Sequence, residues 1–144
     1  MIIVNDFPPN YVAIRSAFDL EHYSPIFAYG SRIFNPHRVD IPGWLRAHEE
    51  VHGRRQGNDP AGWWEKYIAD ENFRLAEEVL AHLAEYHVLS QGQARPARRR
   101  IMQERIDRLR SPLYGYKPAL SADRAKGLMK WALHQETEPA AATG

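Results

Sequence analysis

Two histidines and a glutamate near the middle of the sequence have the types and spacing of a catalytic metal site. They belong to the motif His48-Glu49-Glu50-Val51-His52. Because residues four apart lie on one face of a helix, both imidazoles can point at one ion. Glu49 then projects beside the ion, where it can take a proton from a water that the ion activates. Composition alone gives only about 0.02–0.03 accidental matches, so the motif predicts a metal site.

A segment farther along the chain offers the third protein ligand that such a site needs. Residues 73–85 form one helical pattern that carries carboxylates on an apolar background. A short helix and two turns would return this segment antiparallel to the motif. Glu78 would then complete a His-His-Glu site, whereas Glu77 would face about 100° away. Glu77, Glu85 and His82 stay open as alternatives.

The composition is that of an ordinary globular protein. The chain has 144 residues, of which 44% are apolar and 26% charged, and it has no cysteine. This excludes disulfides, thiolate ligands and cysteine nucleophiles. No apolar run reaches the ~20 residues of a membrane-spanning helix, and the start lacks the features of a secretory leader. We expect one domain over residues 1–136, a flexible tail over 137–144, no membrane partner and a cytoplasmic location.

Periodicity and turn signals predict an α+β fold that is mostly helical, with a small sheet near the N-terminus. Two β-prone runs around Gly30 predict a hairpin, and Asp59 is the predicted N-cap of a helix that starts at Pro60. Further helices are predicted from Tyr11, over about 42–56, 72–90 and 95–110, and from Ser121 to about His134. The predicted core includes Trp63, Trp64, Tyr67 and the stripe Phe73, Leu75, Ala76, Val79, Leu80, Leu83 and Ala84.

The motif and the glutamate-bearing helix resemble the HExxH zincin metallopeptidases of the gluzincin type, in which a glutamate on a later helix is the third ligand. The short spacing is most similar to the minimal gluzincins and to small, phage-associated predicted metallopeptidases. The resemblance implies zinc as the cofactor, His48, His52 and Glu78 as ligands and Glu49 as the general base. Larger gluzincins often place an Asp four residues after the glutamate ligand. This sequence has His82 there, as a partner of a ligand or a ligand itself.

The resemblance also implies how a peptide or protein substrate would be held. A strand beside the cleft, Ser31 to Asn35, would pair with the extended substrate, with Arg32 and Phe34 as substrate-binding residues. A proton donor must stabilise the oxyanion. We expect Tyr114 in this role, because its loop resembles a recurrent feature of the small phage proteins. The other candidates are Tyr86, His87, Tyr116 and His134.

A basic segment, Arg95 to Arg110, lies outside this site. It contains seven arginines and only two acids, Glu104 and Asp107, so its local net charge is +5. The segment is either a surface for nucleic acid or an acidic partner, or a solvated helix whose arginines pair with acids elsewhere. We favour the solvated helix, because the whole chain carries a net charge of only +1. The rival to a hydrolase is thus an inactive zincin scaffold that acts in binding or phage assembly through Arg95–Arg110.

Overall fold

The computed structural model describes residues 1–137, so most of the tail predicted over 137–144 lies outside the described residues. The predicted fold class is confirmed, because these residues form six α-helices and one small three-stranded sheet. The elements are β1 (Ile2–Val4), α1 (Tyr11–Ala17), β2 (Phe27–Tyr29), β3 (Arg32–Phe34), α2 (Gly43–Gln56), α3 (Pro60–Ala69), α4 (Glu71–Ser90), α5 (Arg95–Leu109), a 3-10 turn (Pro112–Tyr114) and α6 (Ala122–Thr137).

The helix boundaries follow from the residues that cap them. The side chain of Asp59 accepts a hydrogen bond from Gly62 N at the start of α3, as predicted. Asp70 does the same for two amides at the start of α4, and Ser121 for Arg124 N at the start of α6. Each bond satisfies an amide that the first turn of a helix leaves without a partner. The short links between α2, α3 and α4 fold this part of the chain back on itself.

The sheet has the order β1-β3-β2. The predicted hairpin is formed by β2 and β3, which pair antiparallel around Gly30, a residue with φ of 63°. The sequence analysis did not predict β1, which pairs parallel to β3. Three residues are too few for a periodic pattern, so only the pairing with a distant strand defines β1.

The central position of β3 contradicts the predicted role of Ser31 to Asn35. An extended substrate can be added only to a free strand edge, and both edges of β3 are occupied, one by β1 and one by β2. Phe34 is buried in a hydrophobic cluster, and Arg32 is exposed. The predicted pairing of Ser31 to Asn35 with an extended substrate is therefore wrong, whereas the substrate-binding role of Arg32 and Phe34 stays a prediction.

A polar layer separates two apolar clusters. One cluster joins α4, α5 and α6 around Leu83, Leu109 and Met129, and the other lies under the sheet and α3 around Phe27 and Trp64. Between them, α2 packs along α4. The prediction that Trp63, Trp64 and Tyr67 are core residues is confirmed. The predicted apolar stripe of α4 is wrong for Ala76, which is exposed, and it omits four charged residues that the helix buries: Arg74, Glu77, Glu78 and Glu85.

A glycine lets α2 approach the sheet closely. A Cβ on Gly53 would lie 2.8 Å from the carbonyl oxygen of Gly30 and 2.6 Å from the Met1 side chain. No larger residue fits there without movement of the hairpin, so Gly53 fixes how near the residue before it, His52, comes to β2. Within residues 1–137, no helix combines the length and the apolar character needed to cross a membrane.

Candidate metal centre

Three buried side chains converge where α2 crosses α4. His48 and His52 come from α2 and Glu78 from α4, and their candidate ligand atoms lie within 4.8 Å of one another. Successive residues of α2 contact progressively earlier residues of α4. The contacts are His48 with Glu85, His52 with Glu78 and Arg55 with Glu77. The two helices are therefore antiparallel, as the sequence predicted.

The separations of these atoms match those around a small cation. Two atoms bound to a tetrahedral zinc at 2.0–2.1 Å lie about 3.3 Å apart. The Nε2 atoms of His48 and His52 are 3.1 Å apart, and His48 Nε2 lies 3.3 Å from Glu78 Oε1. That oxygen is buried and accepts no hydrogen bond. Two imidazoles and an unsatisfied carboxylate oxygen form a donor set that fits zinc or another divalent ion.

The charges of the histidines and of Glu78 shift one another's pKa values in this cluster. Burial lowers the pKa of His48, but the neighbouring carboxylates, Glu78 foremost, outweigh it and raise that pKa well above its usual value. Burial raises the pKa of Glu78, yet His52 and His48 outweigh it and hold that pKa well below its usual range. The ionised carboxylate of Glu78 therefore favours a positive charge beside it, which is a proton on His48 or a bound metal ion.

Glu49 is placed to accept a proton in this cluster. Its carboxylate lies 4.0 Å from His48 Nε2 and is buried. Burial raises its pKa, against the opposing charges of His48 and His52 and a backbone hydrogen bond from Ala28. A raised pKa makes the carboxylate a stronger base. Glu50, the next residue, faces away and forms a surface ion pair with Arg46.

Glu85 orients one imidazole of the cluster. Its Oε2 accepts from His48 Nδ1 at 2.6 Å, and this bond turns Nε2 of the same ring toward Glu78. Arg105 lies 3.1 Å and Arg108 3.6 Å from its other oxygen. The sequence analysis considered Glu85 only as a possible ligand. Its position seven residues after Glu78, two helical turns on the same face, was the available signal.

His82 lies one turn after Glu78 on α4 and is almost fully buried. Its Nδ1 donates to the backbone carbonyl of Glu78 at 2.7 Å. Burial, with the charge of His48, lowers its pKa to about 4, so the ring is neutral at pH 7. With His48 and Glu85 it forms a second group of candidate ligand atoms. Glu77, in contrast, is paired with Arg55 of α2 and belongs to neither group of candidate ligands within residues 1–137.

Tyr114 lies between His82 and the cavity beside the cluster. Its hydroxyl is 3.4 Å from His82 Nε2. Burial and the charges of Glu78 and Glu85 raise its pKa well above 10, so the hydroxyl keeps its proton. Among the five predicted oxyanion donors it is the one that lines the cavity. The other four lie elsewhere. Tyr116 packs on Tyr114, and Tyr86 packs on the cluster of α4, α5 and α6. His87 is exposed and pairs with Glu136, and His134 is exposed on α6.

The cavity has a volume of about 220 Å³ and a largely apolar wall. Glu49, the two histidines and Glu78 face it. Two of its lining residues were missed by the sequence analysis. Tyr67, read only as core, donates from its hydroxyl to Glu78 Oε2 at 2.8 Å. Arg108 places its guanidinium group in the wall, and the guanidinium carbon lies 4.8 Å from the centroid of the Trp44 ring.

No protein-family model matches the chain, and no curated protein or solved structure matches it. The chemistry of the site itself must therefore carry any functional conclusion.

Proposed function

We propose that the protein is a zinc-dependent hydrolase that cleaves peptide bonds. One observation carries the proposal: His48, His52 and Glu78 meet at the separations of tetrahedral ligands, with the carboxylate of Glu49 in the wall of the same cavity. Three protein ligands with an adjacent basic carboxylate are the composition of a hydrolytic zinc site rather than a structural one. Zinc is the ion we expect, because two imidazoles and one carboxylate suit it well.

Each residue then has a separate task. His48, His52 and Glu78 would hold the ion, which when bound supplies Lewis-acid activation of water and of the substrate carbonyl. Glu49 accepts the proton of the attacking water and returns it to the leaving amine. The protonated hydroxyl of Tyr114 donates to the oxyanion. Glu85 keeps His48 in the orientation in which Nε2 faces the cavity.

The cavity also supports a peptide as the substrate. Its wall includes Trp63, Trp64, Phe27 and Leu45. Such a wall accepts a large apolar side chain beside the reacting carbonyl and excludes water from it. A peptide with a bulky hydrophobic residue next to the scissile bond is the substrate class that we expect.

The metal comes first in testing the proposal. Elemental analysis of the purified protein should find about one zinc per chain. His48→Ala/His52→Ala should lose it, whereas His22→Ala/His37→Ala, at two exposed positions, should keep it. A wild-type protein that takes up no metal after reconstitution with zinc at neutral pH would refute the proposal.

Catalysis is tested with neighbouring glutamates. Glu49→Gln should retain zinc and lose cleavage of a peptide library by about 10²-fold or more, because the general base is gone. Glu50→Gln is the matched control and should remain active. Full cleavage by Glu49→Gln would contradict the mechanism. A wild-type protein that binds zinc yet cleaves no library peptide would instead support the inactive-scaffold alternative.

A further inference from the structure

A groove on the other side of α5 lies outside the metal centre. It has a volume of about 420 Å³ and runs between α5 and α6, with α4 at its floor. Five cationic side chains line it, and no carboxylate does so among residues 1–137. They are Arg95, Arg98, Arg99, Lys126 and Lys130.

These cations differ from the arginines at the far end of the same helix. Arg105 and Arg108 are paired with Glu85, and Arg110 donates to the carbonyl of Leu120. For Arg105 and Arg108, the predicted pairing with an acid elsewhere in the fold is confirmed. Within the described part of the chain, the five groove cations form no ion pair.

The start of α5 adds to this positive charge. Ala94 offers no side-chain cap, and the first turn contains no acidic residue. The partial positive charge at a helix N-terminus disfavours nearby cations, so Arg95, Arg98 and Arg99 lie where they stabilise α5 least. An anionic ligand would relieve this repulsion.

The floor of the groove is apolar. Met102 and Ile106 are buried members of the α4–α6 core, and Leu133 and Tyr86 are partly buried against it. This floor does not suit a nucleic acid. A phosphate backbone gains nothing from aliphatic side chains, and stacked bases would need several aromatic rings. A floor that takes apolar side chains between two cationic banks fits a helix with an apolar stripe and acidic flanks.

We propose that the α5–α6 groove binds an acidic amphipathic helix of a partner protein. The stretch from Arg95 to Ile106 is about 16 Å long, which matches about three turns of a partner helix. The apolar side chains of that helix would lie over Met102 and Ile106, and its carboxylates would face Arg98 and Arg99 on one side and Lys126 and Lys130 on the other. The proposal does not depend on the metal centre.

Fluorescence anisotropy of a labelled probe tests this surface. The probe is a synthetic Ala-based helical peptide of about 16 residues, with Leu at positions i, i+4 and i+7 and Glu on the two flanks of that stripe. We expect a Kd below about 100 µM at low salt and at least about tenfold weaker binding when the leucines are replaced by serine. Arg98→Glu/Arg99→Glu should weaken binding about tenfold. Arg100→Glu, exposed on the same helix but outside the groove, should change it less than about twofold.

Lys126→Glu/Lys130→Glu provides a second variant on another helix, so the result does not depend on the folding of α5. An equal effect of Arg100→Glu, or no saturation by about 1 mM peptide, would overturn the proposal. A short DNA duplex and vesicles of phosphatidylcholine with phosphatidylserine are tested in parallel. Tighter binding of either one, lost in the same two variants, would replace the helix with a nucleic acid or a membrane as the occupant.

Discussion

The two sides of α4 are equally buried but chemically opposite. Toward α5 and α6 the helix presents Leu75, Val79 and Leu83 to an apolar core. Toward α2 it presents Glu77, Glu78 and Glu85, each no more than 2% exposed. On the apolar side, the burial of each such side chain stabilises the fold by about 1.5–3 kcal/mol. On the acidic side, burial removes charged carboxylates from water, and this unfavourable free energy must be offset by partners inside the protein.

Each buried acid recovers this cost through a partner on another helix. Glu77 has Arg55, Glu78 has His52 and His48, and Glu85 has His48 and two arginines of α5. Well-packed apolar residues in place of such pairs are often as stabilising or more so. We infer that the apolar side of α4 serves stability and that the acidic side serves the proposed metal centre.

Zinc should stabilise the protein through the acidic side alone. At free zinc about 1,000 times the Kd, we expect the free energy of unfolding to rise by about 4 kcal/mol, measured by urea denaturation with zinc and with a chelator. His52→Ala should show no such increment. An increment that survives in His52→Ala would place the ion elsewhere and break the comparison.

Leu83→Ala should act on stability alone. The side chain is 1% exposed in the α4–α6 core, so its truncation should lower the free energy of unfolding by about 3 kcal/mol. The increment from zinc should stay at the wild-type value, since Leu83 packs in the apolar cluster of α4, α5 and α6. A reduced increment in the same urea experiment would show that the two sides of α4 are coupled.

The pH dependence of the metal-free protein should reveal His82. Its pKa of about 4 in the folded state is below the unfolded value of 6.5. Its contribution is therefore complete above pH 6.5 and is lost as the pH falls toward 4. Relative to His82→Asn, the wild-type free energy of unfolding should fall by about 2 kcal/mol between pH 7 and pH 5. Parallel pH profiles of the two proteins would contradict this assignment.

Glu85→Gln should weaken zinc binding without abolishing it. The amide keeps the shape of the side chain but loses the charge that holds His48, and loss of such a partner costs about 10- to 100-fold in affinity. Glu77→Gln, equally buried but paired with Arg55, is the matched control. Competition with a fluorescent zinc chelator measures both variants. Equal weakening in the two would indicate a general loss of helix packing.

Local signals in the sequence were sufficient for the helices and for the convergence of His48, His52 and Glu78. Caps such as Asp59 and spacings of three and four residues depend only on neighbours along the chain. The misses concern distant neighbours. The pairing of β1 with β3, the orientation of His48 by Glu85 and the arrival of Arg108 at the cavity each join segments about 30 or more residues apart. Apolar periodicity predicted α4 and the buried Leu75, Val79 and Leu83, but it cannot detect a second side of the helix that is buried and charged.

The edge of β2 has a consequence for inhibitor chemistry. Ala28 is the residue of β2 whose carbonyl turns away from β3, and that carbonyl already accepts hydrogen bonds from Gln56 Nε2 at 2.9 Å and Trp64 Nε1 at 3.0 Å. A peptidomimetic that copies only an extended backbone would find no free acceptor there. For the proposed zinc hydrolase, the scaffold we expect to bind is therefore a chelating head group for the proposed ion with a bulky aryl substituent on the aromatic wall.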